Sequence, residues 1–307
     1  MGELLKGKAA VITGGGGGLG RAVSLLMAEE GAKIVVNDIG GSKDGSGGSN
    51  SPADVTVQEI KSRGGEAVAS YDSIVSFTAA EKLIQTCVET FGKIDILVNL
   101  AGNLRDRMIF NMAEEDFDSV IAVHLKGTWN CTRHACAAMR QQRTGRIINT
   151  SSRAAFGNPG QSNYASAKAG IIGMTQTVAR EMGRYGVTVN AIMPLAATRF
   201  SATAEVAATK EKRAAAGIQA AVQLGEVELP PPEDIAPIVV YLASDEAADV
   251  NGQLFFSCGG EITLYTLPQP KKSIFSPGRW DVGELASVFP KTLGKGLVNP
   301  APVQPPK

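Results

Sequence analysis

Ala9-Ala10-Val11-Ile12-Thr13-Gly14-Gly15-Gly16-Gly17-Gly18-Leu19-Gly20 is the stretch that decides how this chain folds. An apolar run of strand type leads directly into glycines. From Arg21 to Glu30 the residues Ala22, Val23, Leu25, Leu26 and Ala28 recur at helical spacing, and Gly31 ends the helix. A second run, Lys33-Ile34-Val35-Val36-Asn37-Asp38, closes a strand–helix–strand unit. Glycines between strand and helix let the backbone approach an anion closely, while unpaired N–H groups and the helix dipole face it. Gly14, Gly18, Leu19 and Gly20 are therefore the expected cradle of a dinucleotide pyrophosphate. Asp38 falls 24 residues after Gly14, at the end of the second strand. A carboxylate there accepts hydrogen bonds from both adenosine ribose hydroxyls and repels a 2′-phosphate, so the expected cofactor is NAD rather than NADP.

Outward from this unit, strand-like runs at 8–13, 33–38, 67–71, 94–99, 145–150, 187–193 and 253–257 alternate with helical patterns. The helices read at 19–30, 52–63, 78–91, 113–140, 163–185 and 232–243. Ile94–Asn99 and Val187–Ile192 are apolar on both faces, as parallel strands covered by helices are. The expected fold is α/β, a doubly wound parallel sheet of the Rossmann type over residues 1–265. The Gly/Ser-rich insertion Gly40–Asn50 reads as a mobile surface loop. Residues 266–307 read as a Pro-rich C-terminal extension, since eight of the fifteen prolines follow Leu267. Within it Trp280, Leu285, Val288 and Phe289 share helical spacing, which predicts one short amphipathic helix ending at Pro290. That segment is either disordered or docked on its own or a neighbouring subunit.

Tyr164-Ala-Ser-Ala-Lys168, with Ser151 thirteen residues before the tyrosine, supplies the chemistry. Tyr and Lys at i and i+4 lie one turn apart on one helix face. An ammonium near a phenol favours the phenolate, so Lys168 is expected to pull the Tyr164 pKa down from ~10. A serine hydroxyl converging on the same point holds the oxygen of an alcohol or carbonyl. That set moves a proton at a carbinol oxygen.

These motifs resemble the short-chain dehydrogenase/reductase family. Thr13-Gly14-x-x-x-Gly18-x-Gly20 is similar to its cofactor loop, and Ser151, Tyr164 and Lys168 to its catalytic residues. Asn99-Leu100-Ala101-Gly102 resembles its Asn-Asn-Ala-Gly motif with Leu at the second place, and Pro194–Thr198 its Pro-Gly-x-x-x-Thr segment with Leu195 for Gly. The resemblance runs from about Leu5 to Tyr265. The narrower likeness is to the hydroxyacyl-CoA dehydrogenase part of the peroxisomal D-specific multifunctional enzyme and its bacterial relatives. It rests on Val35–Gly41 with the insertion after it, on Gly102-Asn103-Leu104-Arg105-Asp106-Arg107, and on His124 where most of the wider family has asparagine.

The resemblance implies hydride transfer between NAD and a secondary alcohol, with a 3-hydroxyacyl-CoA thioester as the expected substrate. A steroid, terpene or other ring alcohol is the rival substrate class, and an NAD-sensing protein without turnover the rival function. It further implies that Asp72 lies against the adenine, that Asn99, Ala101 and Gly102 line the adenosine side, and that Pro194 and Thr198 contact the nicotinamide end or pyrophosphate. Residues 199–230 are implied to form a lid, and the long helices a homodimer or homotetramer. His124 is either a proton relay or a hydrogen-bonded core residue. Arg153 either offers its fork to a second carboxylate on the substrate or turns to solvent.

The 307 residues carry 30 basic and 30 acidic side chains, no footprint for nucleic acid or an anionic membrane. No apolar stretch reaches the ~18 residues of a membrane span. Met1–Lys6 lacks a signal-peptide core and Gln304–Lys307 is no organelle address, so the expected location is the cytoplasm. The four cysteines have no ligand spacing, and His124, Cys131 and His134 lack the partners a metal site needs, so none is expected.

Overall fold

The computed structural model describes residues 2–198 and 229–301. Eight strands among them form one sheet: β1 (Ala9–Thr13), β2 (Lys33–Asn37), β3 (Ala67–Ser70), β4 (Ile96–Asn99), β5 (Gly145–Thr150), β6 (Val187–Pro194), β7 (Leu254–Cys258) and β8 (Glu261–Tyr265). Their order is β3-β2-β1-β4-β5-β6-β7-β8, with β3 to β7 parallel and β8 antiparallel to β7. Between them run α1 (Gly18–Glu29), α2 (Ser51–Ser62), α3 (Phe77–Phe91), α4 (Glu114–Ile121), α5 (Thr128–Gln142), α6 (Ser162–Met182) and α7 (Ala236–Ala243).

Alternation along the strands explains the two helix layers. Ala10, Ile12, Ile34, Val36, Ile96, Val98, Ile148 and Ile192 pack with α1, α2 and α7. Ala9, Val11, Val35, Leu97, Ile147, Val187 and Val189 pack on the other face with α3, α5 and α6. Both faces of each central strand are thus dry, which is why those strands read as unbroken apolar runs. The order reverses between β1 and β4, and the crevice outside the strand ends there is where such sheets bind ligands.

Two elements differ from the sequence reading. The helix expected at 113–140 is α4 and α5 joined by a π turn, Ala122–Gly127, which holds His124. The sheet gains an antiparallel edge because Gly259, at φ 55°, and Gly260 form a two-residue turn into β8. The insertion after β2 has no regular element before α2 and gains internal turn bonds that composition does not specify. Ser42 N donates to Ser46 O at 2.8 Å, and Asp44 Oδ1 accepts from Ser46 N at 3.0 Å and Ser42 Oγ at 2.6 Å. Those serine bonds hold the Asp44 carboxyl well below the usual carboxylate range. The lid expected at about 199–230 falls outside the described residues except for its last two positions.

The chain divides into two compact units, Met1–Tyr265 and Thr266–Lys307. The second carries α8 (Val282–Val288), which Asp281 caps by accepting from Gly283 N at 2.8 Å and Glu284 N at 3.2 Å. A 3-10 turn, Phe289–Lys291, follows it. Val282, Leu285, Ala286, Phe289 and Pro290 line an apolar hollow in this unit. No helix among the described residues is long and apolar enough to cross a membrane.

Candidate active site

The glycine loop fits an anion because nothing but backbone can stand there. Gly14 has φ 68°, and a Cβ on it would fall 2.9 Å from the Ala101 backbone. A Cβ on Gly20 would fall 1.9 Å from Gly14 O, so α1 packs directly under the loop. Gly17 precedes α1 with no side-chain cap, leaving the first-turn N–H groups for a ligand. Leu19 anchors that turn against the core. Thr13 Oγ1 accepts from Leu100 N at 3.1 Å and Ala101 N at 3.2 Å, which ties the segment after β4 to the loop after β1. Thr198 reaches across from beyond Pro194, the last residue of β6, and its side chain lies 3.7 Å from the Cβ position of Gly18.

Asp38 turns onto this loop from the end of β2. Its two oxygens accept from Gly16 N at 3.1 Å and Gly40 N at 2.7 Å. Asp72, beyond β3, accepts from Ser70 Oγ at 3.0 Å and pairs with Lys82 at 3.1 Å. Asn99 is buried beneath the loop surface. Its amide donates to Asn149 Oδ1 at 2.9 Å and Thr132 Oγ1 at 3.3 Å, and Asn149 donates onward to Thr175 Oγ1 at 3.0 Å. The Asn99 side chain thus fastens β4 to β5 and α5. Gly102 makes room for His124, whose Cε1 would lie 2.5 Å from a Cβ there.

Tyr164 and Lys168 project from the first turns of α6 towards the end of β5. Asn163 sets this start: its Oδ1 accepts from Tyr164 N at 2.7 Å, while its Nδ2 donates to Arg105 O at 2.9 Å and Asp116 O at 3.0 Å. Lys168 Nζ donates to Thr150 O at 2.6 Å and lies 5.4 Å from the Tyr164 ring centre. Burial lowers the Lys168 pKa to about 7. Burial also pushes the Tyr164 phenol up to about 12, helped by Asp106 and opposed by a hydrogen bond with Ser152. Burial thus works against the lowering that Lys168 was expected to bring to the phenol.

Ser151 is buried, and its hydroxyl donates to Lys168 O at 2.8 Å rather than towards the phenol. The neighbouring Ser152 hydroxyl favours the Tyr164 phenolate, against the effect of burial. His124 lies edge-on to Tyr164 with ring centres 5.1 Å apart. Its Nε2 sits 3.1 Å from Asn103 N and 2.8 Å from Asn103 O, and Nδ1 has no partner. Burial, then the Lys168 charge, pushes its pKa well below 6.5. That shift favours the neutral imidazole at physiological pH. The Arg153 guanidinium is half-buried, 4.1 Å from the Phe256 ring centre on β7.

Sequence reasoning passed over Ser152, Asn149 and Asn163. Asn163 adjoins Tyr164 and marks the helix start, a signal that was available. Asn149 shares a sheet register with Asn99, which only the paired strands reveal.

The model of the family described as short chain dehydrogenase matches residues 8–211. The peroxisomal multifunctional enzyme type 2 of Drosophila melanogaster is 43% identical over 272 residues, covering 88% of this chain and 42% of that protein. The chain thus spans about half or less of the length of the multifunctional relatives it matches. A hydroxyacyl-CoA dehydrogenase of Mycobacterium tuberculosis, ChsB1, is 40% identical over 295 residues, covering 93% of this chain and 88% of that one. A crystal structure of a short chain dehydrogenase from Mycobacterium avium superposes with a TM-score of 0.81 at 46% identity, over 95% of this chain and 96% of that one. With its cradle, its Tyr164–Lys168 pair and these matches, the chain belongs to the short-chain dehydrogenase family.

Proposed function

We propose that the chain is an NAD-dependent dehydrogenase that oxidises the 3-hydroxyl of a hydroxyacyl-CoA thioester, working as a homodimer or homotetramer. The observation that carries the reading is the convergence of Tyr164, Lys168 and the Ser151–Ser152 pair beside a cradle bare of side chains. The names of the multifunctional and mycobacterial relatives support the substrate class. Asp38, whose carboxylate faces the loop at Gly16, supports NAD over NADP, since it is placed to accept ribose hydroxyls and to repel a 2′-phosphate.

On this reading Ser151 holds the substrate oxygen after its hydroxyl turns away from the Lys168 carbonyl. Tyr164 takes the hydroxyl proton as the carbinol hydrogen leaves as hydride. When bound, the oxidised dinucleotide supplies the hydride acceptor and a positive charge that favours the phenolate. Lys168, with a pKa near neutrality and a hydrogen bond to Thr150 O, is suited to carry the proton away from Tyr164. His124 acts as a neutral prop that holds the Asn103 peptide and the Tyr164 ring.

A panel tests the reading: 3-hydroxyacyl-CoA thioesters of both hands, simple ring alcohols and a hydroxysteroid, each with NAD and with NADP. Rapid reduction of NAD by one thioester enantiomer is expected. Turnover of free alcohols alone removes the acyl-CoA assignment, and preference for NADP removes the role given to Asp38. Bound NAD with no turnover of any substrate favours a sensor.

A further inference from the structure

The insertion Gly40–Asn50 leaves β2 and returns to α2, yet it docks on the segment after β4. Leu104 N donates to Lys43 O at 2.9 Å, and Asp44 O accepts from Arg105 Nε at 3.0 Å and Asn103 Nδ2 at 3.5 Å. Gly45, at φ 85°, fits against Asn103, and a Cβ there would fall 2.8 Å from its Nδ2. At its root the same loop is pinned to the cradle through Asp38, which accepts from both Gly40 N and Gly16 N. β2 and β4 flank β1 in the sheet. A contact between the segments that follow them therefore crosses in front of the end of β1, where the glycine cradle begins.

We propose that Gly40–Asn50 is a strap across the dinucleotide cleft, latched by Asn103 and Arg105, with the adenosine half of the cofactor beneath it. This rests on the reading that a dinucleotide occupies the cradle of Gly14–Gly20. The strap side of the latch consists of backbone carbonyls, so its strength lies in the side chains and amide of 103–105. Arg105 is braced from behind by Asp116, whose Oδ1 is 3.7 Å from Nη1. Asn103 carries the latch on its side chain and the His124 ring on its backbone, so the strap abuts the proton-transfer site through one residue. A cofactor leaving the cradle has to break the latch, which makes the latch a determinant of the release rate.

Release of NADH from the full chain, read by nicotinamide fluorescence after rapid mixing with excess NAD, tests this in wild type, Arg105→Ala and Gly45→Val. The two variants attack the contact from opposite sides, so shared behaviour reports the contact rather than local damage. Release about tenfold faster in both is expected, the scale of one lost hydrogen bond. NADH bound by wild type and released at the wild-type rate from both variants overturns the strap, and so does acceleration in only one of them. Failure of wild type to bind NADH overturns the dinucleotide reading itself.

Discussion

Burial drives Tyr164 up to about 12 and Lys168 down to about 7, so both groups favour their neutral forms. For Lys168 the unfolded chain keeps its proton up to the ordinary lysine pKa of 10.5, while the native chain releases it from about 7. Between those values the unfolded state binds more protons, and native stability rises with pH by up to ~1.4 kcal/mol per unit. Chemical denaturation of wild type and Lys168→Met from pH 7 to 10 should show wild type gaining on the variant throughout that window. The Ser152 hydrogen bond lowers the Tyr164 pKa, so Ser152→Ala should move the rising limb of the oxidation rate to higher pH. An unmoved limb removes Ser152 from the site. His124 does not titrate near neutrality, so the pH profile of kcat in His124→Ala should keep its wild-type shape as its amplitude falls. The Tyr164–Lys168 spacing was legible because one helical turn fixes it. The burial that opposes the pull on Tyr164 and the turn of the Ser151 hydroxyl onto the Lys168 carbonyl were not, since both depend on enclosure and rotamers that a linear pattern does not encode.

The glycine loop is the element on which the proposed cofactor binding depends. The Cβ of Gly20→Ala would fall 1.9 Å from Gly14 O, so α1 must shift away from β1. That variant should lose NADH fluorescence enhancement and ~1–3 kcal/mol of unfolding free energy, the usual cost of overpacking. Retained binding at wild-type stability contradicts the packing of α1 against the loop. Strands β1, β4 and β6 were readable because both their faces are buried, which forces an apolar run on the sequence. β8 was not: Ile262 and Leu264 are more than half exposed on an edge, and only the Gly259-Gly260 turn announces the hairpin. The π turn at His124 was likewise hidden, because one widened turn hardly disturbs the helical spacing of α4 and α5. In the insertion, composition suggested a surface loop, and Ser42, Asp44 and Ser46 supply the turn bonds that close it.

The whole chain separates at Tyr265, and among the described residues no buried core hydrophobic lies beyond Phe256. A chain ending at Tyr265 should therefore fold cooperatively and bind NADH, as thermal unfolding with and without the dinucleotide would show. Loss of cooperative unfolding contradicts that division. The shift from strand–helix alternation to proline-rich sequence made the change at 266 legible, because a doubly wound sheet has no place for closely spaced prolines. The reaction proposed for the chain is transfer of the C3 hydrogen of a hydroxyacyl-CoA to NAD, with Tyr164 taking the hydroxyl proton. The most direct test follows deuterium from a 3-deuterated 3-hydroxyacyl-CoA by mass spectrometry of the dinucleotide, for wild type and Tyr164→Phe. The account predicts deuterium in the reduced dinucleotide with wild type and none with Tyr164→Phe. Reduced dinucleotide without deuterium, or equal labelling by the two proteins, would contradict it.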